Sequence, residues 1–140
     1  MLRRILTGFA VIIGVSLIAF SVFYVSFIRP RVRVYEDVRS MIITDVDVAR
    51  VADGVYEGAF SYADTGVKVR VSVAGGWIQN IEILEGGRNP HGKRAEVITD
   101  DITKANSLNV DVISGATTTS KALLKAVELA LLKGIAQQAG

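Results

Sequence analysis

The sequence predicts a small α+β domain behind an N-terminal transmembrane helix, and three observations carry that expectation. Residues 5–28 contain no charged side chain, Pro, Asn or Gln. Residues 67–83 alternate apolar and polar positions around Gly75-Gly76, the mark of a β-hairpin. Residues 118–133 repeat apolar side chains at helical spacing. Together they predict an antiparallel β-meander packed with two helices.

The apolar run of 24 residues would span about 36 Å as a helix, against roughly 30 Å of bilayer hydrocarbon. A cleaved signal peptide would share the Met-Leu-Arg-Arg start, and Ala19-Phe-Ser21 is a weak cleavage match. The chain stays apolar beyond that point, through Val22 to Ile28, which favours a retained membrane helix. Tyr24 and the Arg-rich exit suit the interface. Arg3, Arg4 and Arg29 account for a charge of +3, leaving 13 basic and 14 acidic residues in the remainder. A nearly neutral soluble part argues against a nucleic-acid surface. The absence of Cys excludes disulfides and thiolate metal sites. Neither a catalytic set nor a metal site is expected.

Pro30 is expected to separate the membrane helix from a linker with some helix, and the compact domain to begin near Asp45. The anticipated division is an anchor over 1–29, a linker over 30–44, a domain over 45–135 and a tail over 136–140. Asp53-Gly54 marks a turn, and 55–62 reads as the first strand. The next two strands are 67–73 and 77–83. A two-residue Gly75-Gly76 loop would place Val69 opposite Glu82, mixing apolar and charged residues on one face. A three-residue Ala74-Gly75-Gly76 loop, with a bulge and Gly in the left-handed region, pairs Val73 with Trp77, Val69 with Ile81 and Lys68 with Glu82, and is preferred on that ground. Ala95, Ile98, Ile102 and Ala105 predict a helix over 93–105. Leu123, Leu124, Val127, Ala130 and Leu131 form the stripe of a last helix over 118–133. Lys121, Lys125 and Glu128 lie on its opposite face, Lys133 suits its C-terminal dipole, and Gly134 is its expected stop.

Immediately before that helix stands Asp111-Val-Ile-Ser-Gly-Ala-Thr-Thr-Thr-Ser120. Ser114, Gly115, Ala116, Thr117 and Thr118 offer small or hydroxyl-bearing residues and exposed amides at the positive end of a helix dipole, a natural seat for phosphate. Ser and Thr are also ordinary helix caps. Residue chemistry alone therefore leaves a phosphate seat and a plain helix start both open. The segment lacks Lys, Arg and the spacing of a P-loop.

The stretch resembles the FMN-binding domain family across about residues 45–135. Asp53-Gly-Val-Tyr-Glu-Gly58 is similar to the family's first strand, 67–85 to its hairpin, and Asp111–Thr117 to its flavinylation motif. Such domains occur in the C subunit of the sodium-pumping NADH:quinone oxidoreductase and the G subunit of the Rnf complex. The resemblance implies FMN as cofactor, joined through its phosphate to Thr117. It also implies a flavin transferase as maturation partner, with Asp111 as its recognition residue. His91 and Gly92 fall where relatives carry a glycine-containing loop beside the flavin. Arg88-Asn-Pro-His-Gly92 departs from the acidic-Thr-Pro-Gly segment of larger relatives. Trp77 and Tyr62 are possible ring-stacking residues by chemistry, with the core the preferred place for Trp77. The implied role is electron relay between redox partner proteins, in a membrane-anchored flavoprotein whose domain faces outward. The competing readings are a tethered binding or assembly module and a noncovalent FMN-binding regulatory domain. Arg29, Arg31, Arg33 and Arg39 after the helix, against Arg3 and Arg4 before it, count against export by the positive-inside rule.

Overall fold

The computed structural model describes residues 1–62, 65–86, 93 and 96–139. The chain divides into two compact units, Met1–Glu36 and Asp37–Gly140. From the N-terminus, α1 (Leu2–Phe23) passes into a π-helical turn (Tyr24–Ile28) and then α2 (Arg29–Ser40). Leu6–Ile28 is long and apolar enough to cross a membrane, with none of it buried inside the protein. Phe9, Ile12, Ile18 and Phe20 are all exposed. A helix satisfies its own backbone polar groups, so such a surface suits lipid. Pro30 does not end the helix as expected. The wide turn absorbs it: Arg29 N–H bonds back to the Tyr24 carbonyl, five residues earlier, just before the residue that has no N–H to give.

In the second unit a 3₁₀ turn (Val48–Arg50) leads to β1 (Gly54–Tyr62), β2 (Thr65–Ala74) and β3 (Trp77–Glu85), then α3 (Val97–Ala105) and α4 (Thr117–Gln138). The strands form an antiparallel sheet in the order β1-β2-β3. Alternation sends Val67, Val69, Val71 and Val73 of β2 inward, with Tyr56 and Tyr62 of β1 and Ile78 and Ile81 of β3. α4 covers β1 and β2, and α3 packs on β3. Ile98 and Ile102 of α3 and Leu123, Val127 and Leu131 of α4 complete the core; each such side chain contributes about 1.5–3 kcal/mol of hydrophobic stabilisation.

The hairpin corrects the expected register. The loop has two residues: Ala74 pairs with Trp77, and Gly75 and Gly76 both have positive φ, 61° and 75°. Those values suit the tight turn that follows strand twist. A bulge then intervenes, since Val73 pairs with Ile78 and Ser72 with Asn80. Gln79 is the extra residue, and it restores apolar to apolar pairing without a longer loop. Val71 therefore faces Ile81, Val69 faces Ile83 and Arg70 faces Glu82. The bulge also turns Trp77 outward, 57% exposed, where the core was the preferred place. The outer face carries an ion ladder. Glu57 receives Lys68 at 2.9 Å and Arg70 at 2.9 Å, and Arg70 reaches Glu82 at 3.0 Å. Hydrogen bonding from Lys68, then Arg70, holds the Glu57 carboxyl below its ordinary value.

Three further expectations change. α4 continues to Gln138, so Gly134 is not a stop. Gly134 lies against Val51 and the Tyr56 ring, 2.8 Å from where its Cβ would stand. Lys133 donates to the Glu57 carbonyl at 2.6 Å instead of serving the helix end. The polar side of α4 is also walled in. Glu128 is 4% exposed, accepting from Lys125 Nζ at 2.8 Å and from the Thr44 amide at 3.4 Å. Lys121 Nζ donates to the Met41 carbonyl at 2.8 Å.

The tightest approach is at Gly58 of β1. A Cβ there would collide with the Ala126 carbonyl oxygen and lie 2.8 Å from the Ala130 amide nitrogen. Gly58→Ala is therefore expected to cost at least about 1–3 kcal/mol. Thermal unfolding of the full chain in detergent checks this, and an unchanged midpoint would refute the seating of α4 on Gly58.

Candidate functional site

The start of α4 is built by the segment after α3. Asn106 ends α3 in the left-handed conformation, φ 50°, a common helix C-terminal device. Its Oδ1 accepts from the Ile78 amide at 2.9 Å and its Nδ2 donates to the Gly76 carbonyl at 3.1 Å. One side chain thus stops the helix and secures the hairpin bulge. Asp53 holds the same turn by accepting from Gly75 N at 2.8 Å. Asp45 accepts from Ser107 Oγ and the Leu108 amide, both at 2.8 Å. The chain then reaches 110–113 in a fixed course.

Next the backbone turns. Ala116 N–H bonds to the Ile113 carbonyl at 2.9 Å, with Ser114 and Gly115 between them and Gly115 at φ 80°. A Gly at this third turn position meets the positive φ without strain. Ala116 is the N-cap of α4 and supplies no side-chain cap. The first helical bond runs from Ser120 N to the Ala116 carbonyl at 2.8 Å. The amides of Thr117, Thr118 and Thr119 therefore face beyond the helix end, as the first turn of any helix does, with no side-chain cap from Ala116 and none from the other described residues. Ser120 is wholly buried, and its Oγ accepts from the Ile113 amide at 3.3 Å.

The residues singled out by sequence thus form one continuous surface feature. Ser114 and Gly115 are exposed, Ala116 is buried, and Thr117 and Thr118 are half-buried in the first turn. Among the described residues, the hydroxyls of Ser114, Thr117 and Thr118 make no hydrogen bond, whereas Ser120 is committed to the turn. Asp111 is exposed and lines an open depression with Asp101, Lys104 and Asn109. Beside it, segments 40–45 and 108–112 leave a groove of about 340 Å³ against Lys121 and Leu124. His91 and Gly92 lie outside the described residues. Of the two aromatics, Tyr62 is buried and stacks on Phe60 at 6.4 Å, while Trp77 stands exposed on the hairpin.

These residues fit the phosphate end of a flavin nucleotide. Uncapped amides, a glycine turn and free hydroxyls supply donors where the helix dipole favours an anion. Sequence reasoning missed Ser120 and Asn106 as builders of this end. Asn directly after a helical stripe was a usable signal; the back-bond from Ser120 to Ile113 had none, because it depends on the turn. Ser120→Ala should leave the Ile113 amide without its acceptor, at a cost of about 1–3 kcal/mol. Chemical unfolding together with amide exchange at Ile113 checks this; unaltered exchange would show that Ser120 does not hold the turn.

Comparison with known proteins agrees with the geometry. An uncharacterized protein of Treponema pallidum (strain Nichols) is 34% identical over 82 residues, which covers 57% of this chain and 23% of that protein. The chain therefore matches less than a quarter of that relative's length. The FMN-binding domain family matches residues 63–132, which is half of the chain and includes the whole Asp111–Ser120 segment. The chain belongs to the FMN-binding domain family, with FMN as its cofactor.

Proposed function

We propose that the chain is a membrane-anchored flavoprotein that carries FMN in phosphoester linkage to Thr117 and relays electrons at the outer face of the cytoplasmic membrane. The observation that carries this reading is the uncapped start of α4, where Thr117 is the first helical residue and its hydroxyl has no partner within the described residues. Bound FMN supplies one- and two-electron redox chemistry. The chain's part is to hold and orient it. Thr117 provides the oxygen of the ester. The amides of Thr117 and Thr118 and the Ser114 hydroxyl would hold the phosphate, with Gly115 allowing close approach and Ala116 supplying no side-chain cap to compete with it. His91 and Gly92 are assigned to the ring side on family resemblance.

Asp111, exposed six positions before Thr117, is available to a flavin transferase without disturbing the core. Leu6–Ile28 supplies the anchor. Outward placement of the domain follows the family's usual site of flavinylation. It also keeps the Met1 amine, Arg3 and Arg4 together on the inner side.

Coexpression with a flavin transferase is expected to raise the intact mass by one FMN less one water. Thr117→Ala should abolish that gain and Thr118→Ala should retain it. Flavin released by denaturation would refute the ester, and a protein without flavin would refute the whole reading. Placement is tested separately with a C-terminal alkaline phosphatase fusion to the full chain. Activity is expected, since that reporter folds only outside the cytoplasm; a silent phosphatase with an active cytoplasmic reporter would reverse the orientation.

A further inference from the structure

Lys121 holds its charge against a neutral partner. Its half-buried ammonium donates to the Met41 main-chain carbonyl at 2.8 Å, and among the described residues it enters no ion pair. Lys125, the next lysine of α4, differs: it sits 2.8 Å from the Glu128 carboxylate. A bond with charge on both sides is stronger than one from a cation to a carbonyl. The grip of Lys121 on Met41 is therefore the more easily exchanged of the two.

Its position on α4 supplies the other acceptor. Lys121 stands four residues after Thr117, the first residue of the helix. Residues at that spacing share a face, with Cβ atoms about 5–6 Å apart. Long helical side chains lean toward the helix N-terminus, which here is the turn that begins at Thr117. An anion followed four residues later by a cation is also the favoured order for a helical pair. Residues 107–120 contain no Lys or Arg, so Lys121 is the first cation after the site residues. A phosphate fixed to Thr117 would act on it at the high local concentration of a tethered group.

We propose that Lys121 switches between two acceptors: the Met41 carbonyl in the unmodified chain, and the phosphate on Thr117 once FMN is attached. The inference rests on the ester to Thr117 proposed above. Before attachment, Met41 keeps Lys121 from the phosphate seat. After attachment, Lys121 pairs with the phosphate and Met41 loses its tie to α4, while Thr44 keeps its bond to Glu128. Met41 to Ile43 also wall the groove of about 340 Å³ above Lys121 and Leu124. Loading the flavin thus loosens that wall at one end and leaves it pinned at the other.

The test compares amide hydrogen exchange in the full chain in detergent, expressed with and without a flavin transferase. Attachment is expected to speed exchange of the Met41 to Thr44 amides by on the order of tenfold, the loss of one charge-assisted hydrogen bond. Unmodified Lys121→Gln should already exchange at the faster rate, and attachment should add nothing to it. Thr117→Ala, coexpressed with the transferase, should keep the slow rate. The phosphorus resonance of the attached FMN should move between the native chain and Lys121→Gln. Unchanged exchange in a native chain that carries the ester mass overturns the switch, and this comparison needs no variant to fold. A Lys121→Gln chain that still responds to attachment, or an unmoved phosphorus resonance, overturns it as well. Absence of the ester mass overturns the underlying reading and the switch with it, whereas the ester mass with unmoved exchange overturns the switch alone.

Discussion

The contact on which the domain depends is the backbone approach of α4 to β1 at Gly58. A side chain at this position would occupy the space of the Ala126 carbonyl, so only glycine allows the helix to lie directly on the strand. The rest of α4 is organised from there. Toward its C-terminus, Gly134 accepts the Tyr56 ring, whose hydroxyl donates to the Ala52 carbonyl at 2.8 Å. Toward its N-terminus, Ser120 closes the turn onto Ile113. The helix is held at both ends and in the middle, and Thr117 stands at its tip. The candidate site therefore sits at the end of a helix anchored along its length, and a site on such an element keeps its geometry better than one on a free loop.

How far this was legible in the sequence follows from which patterns carry a period. The N-terminal apolar helix, three strands and last helix all carry one; the strands appear within two residues of expectation, whereas the first helix runs on through Pro30 to Ser40 and the last to Gln138. The hairpin register was misread by two residues. Parity alone identified which residues share a face, but a three-residue loop and a two-residue loop with Gln79 bulged both satisfy parity, and the Gly75-Gly76 turn geometry decides for the second. Trp77 followed the same error. Gly134 and the Lys121-Lys125-Glu128 face were misread because a helix wheel assumes one covered side. Here the segment 41–46 covers the second side, with Val46 buried and Met41 and Thr44 bonded to α4. The site's local plan, Asp111 to Ser120 before a helix, was legible. The back-bond that shapes it was not.

The electrostatics of the candidate site are in keeping with the covalent linkage proposed above. Residues 107–120 contain no Lys or Arg, and their one charged side chain is Asp111. Lys121 is committed to the Met41 carbonyl. What remains for an anion is the helix dipole, worth about half a charge, and a few amides. A phosphate monoester carries up to two negative charges near neutral pH, because its second pKa is about 6. A diester carries one. Esterification to Thr117 would halve the charge to be neutralised and remove the need for affinity. Among the described residues the site offers donors but no free cation, which suits a phosphate that is attached.

The start of α4 is also linked to the segment that follows α2. Lys121, one turn after Thr117, grips Met41, and Glu128, buried two turns further on, grips Thr44. Glu128 is a carboxylate with 4% exposure, and a buried charge is costly unless paired. Its partners are one lysine from its own helix and one amide from the 41–46 segment. Removing that segment would expose Lys121 and leave Glu128 with Lys125 alone. The first three turns of α4 thus have one wall made by the sheet and another made by the chain leading out of α2. The helix that bears Thr117 is completed by the stretch that follows α2, which holds the candidate site's supporting helix in place.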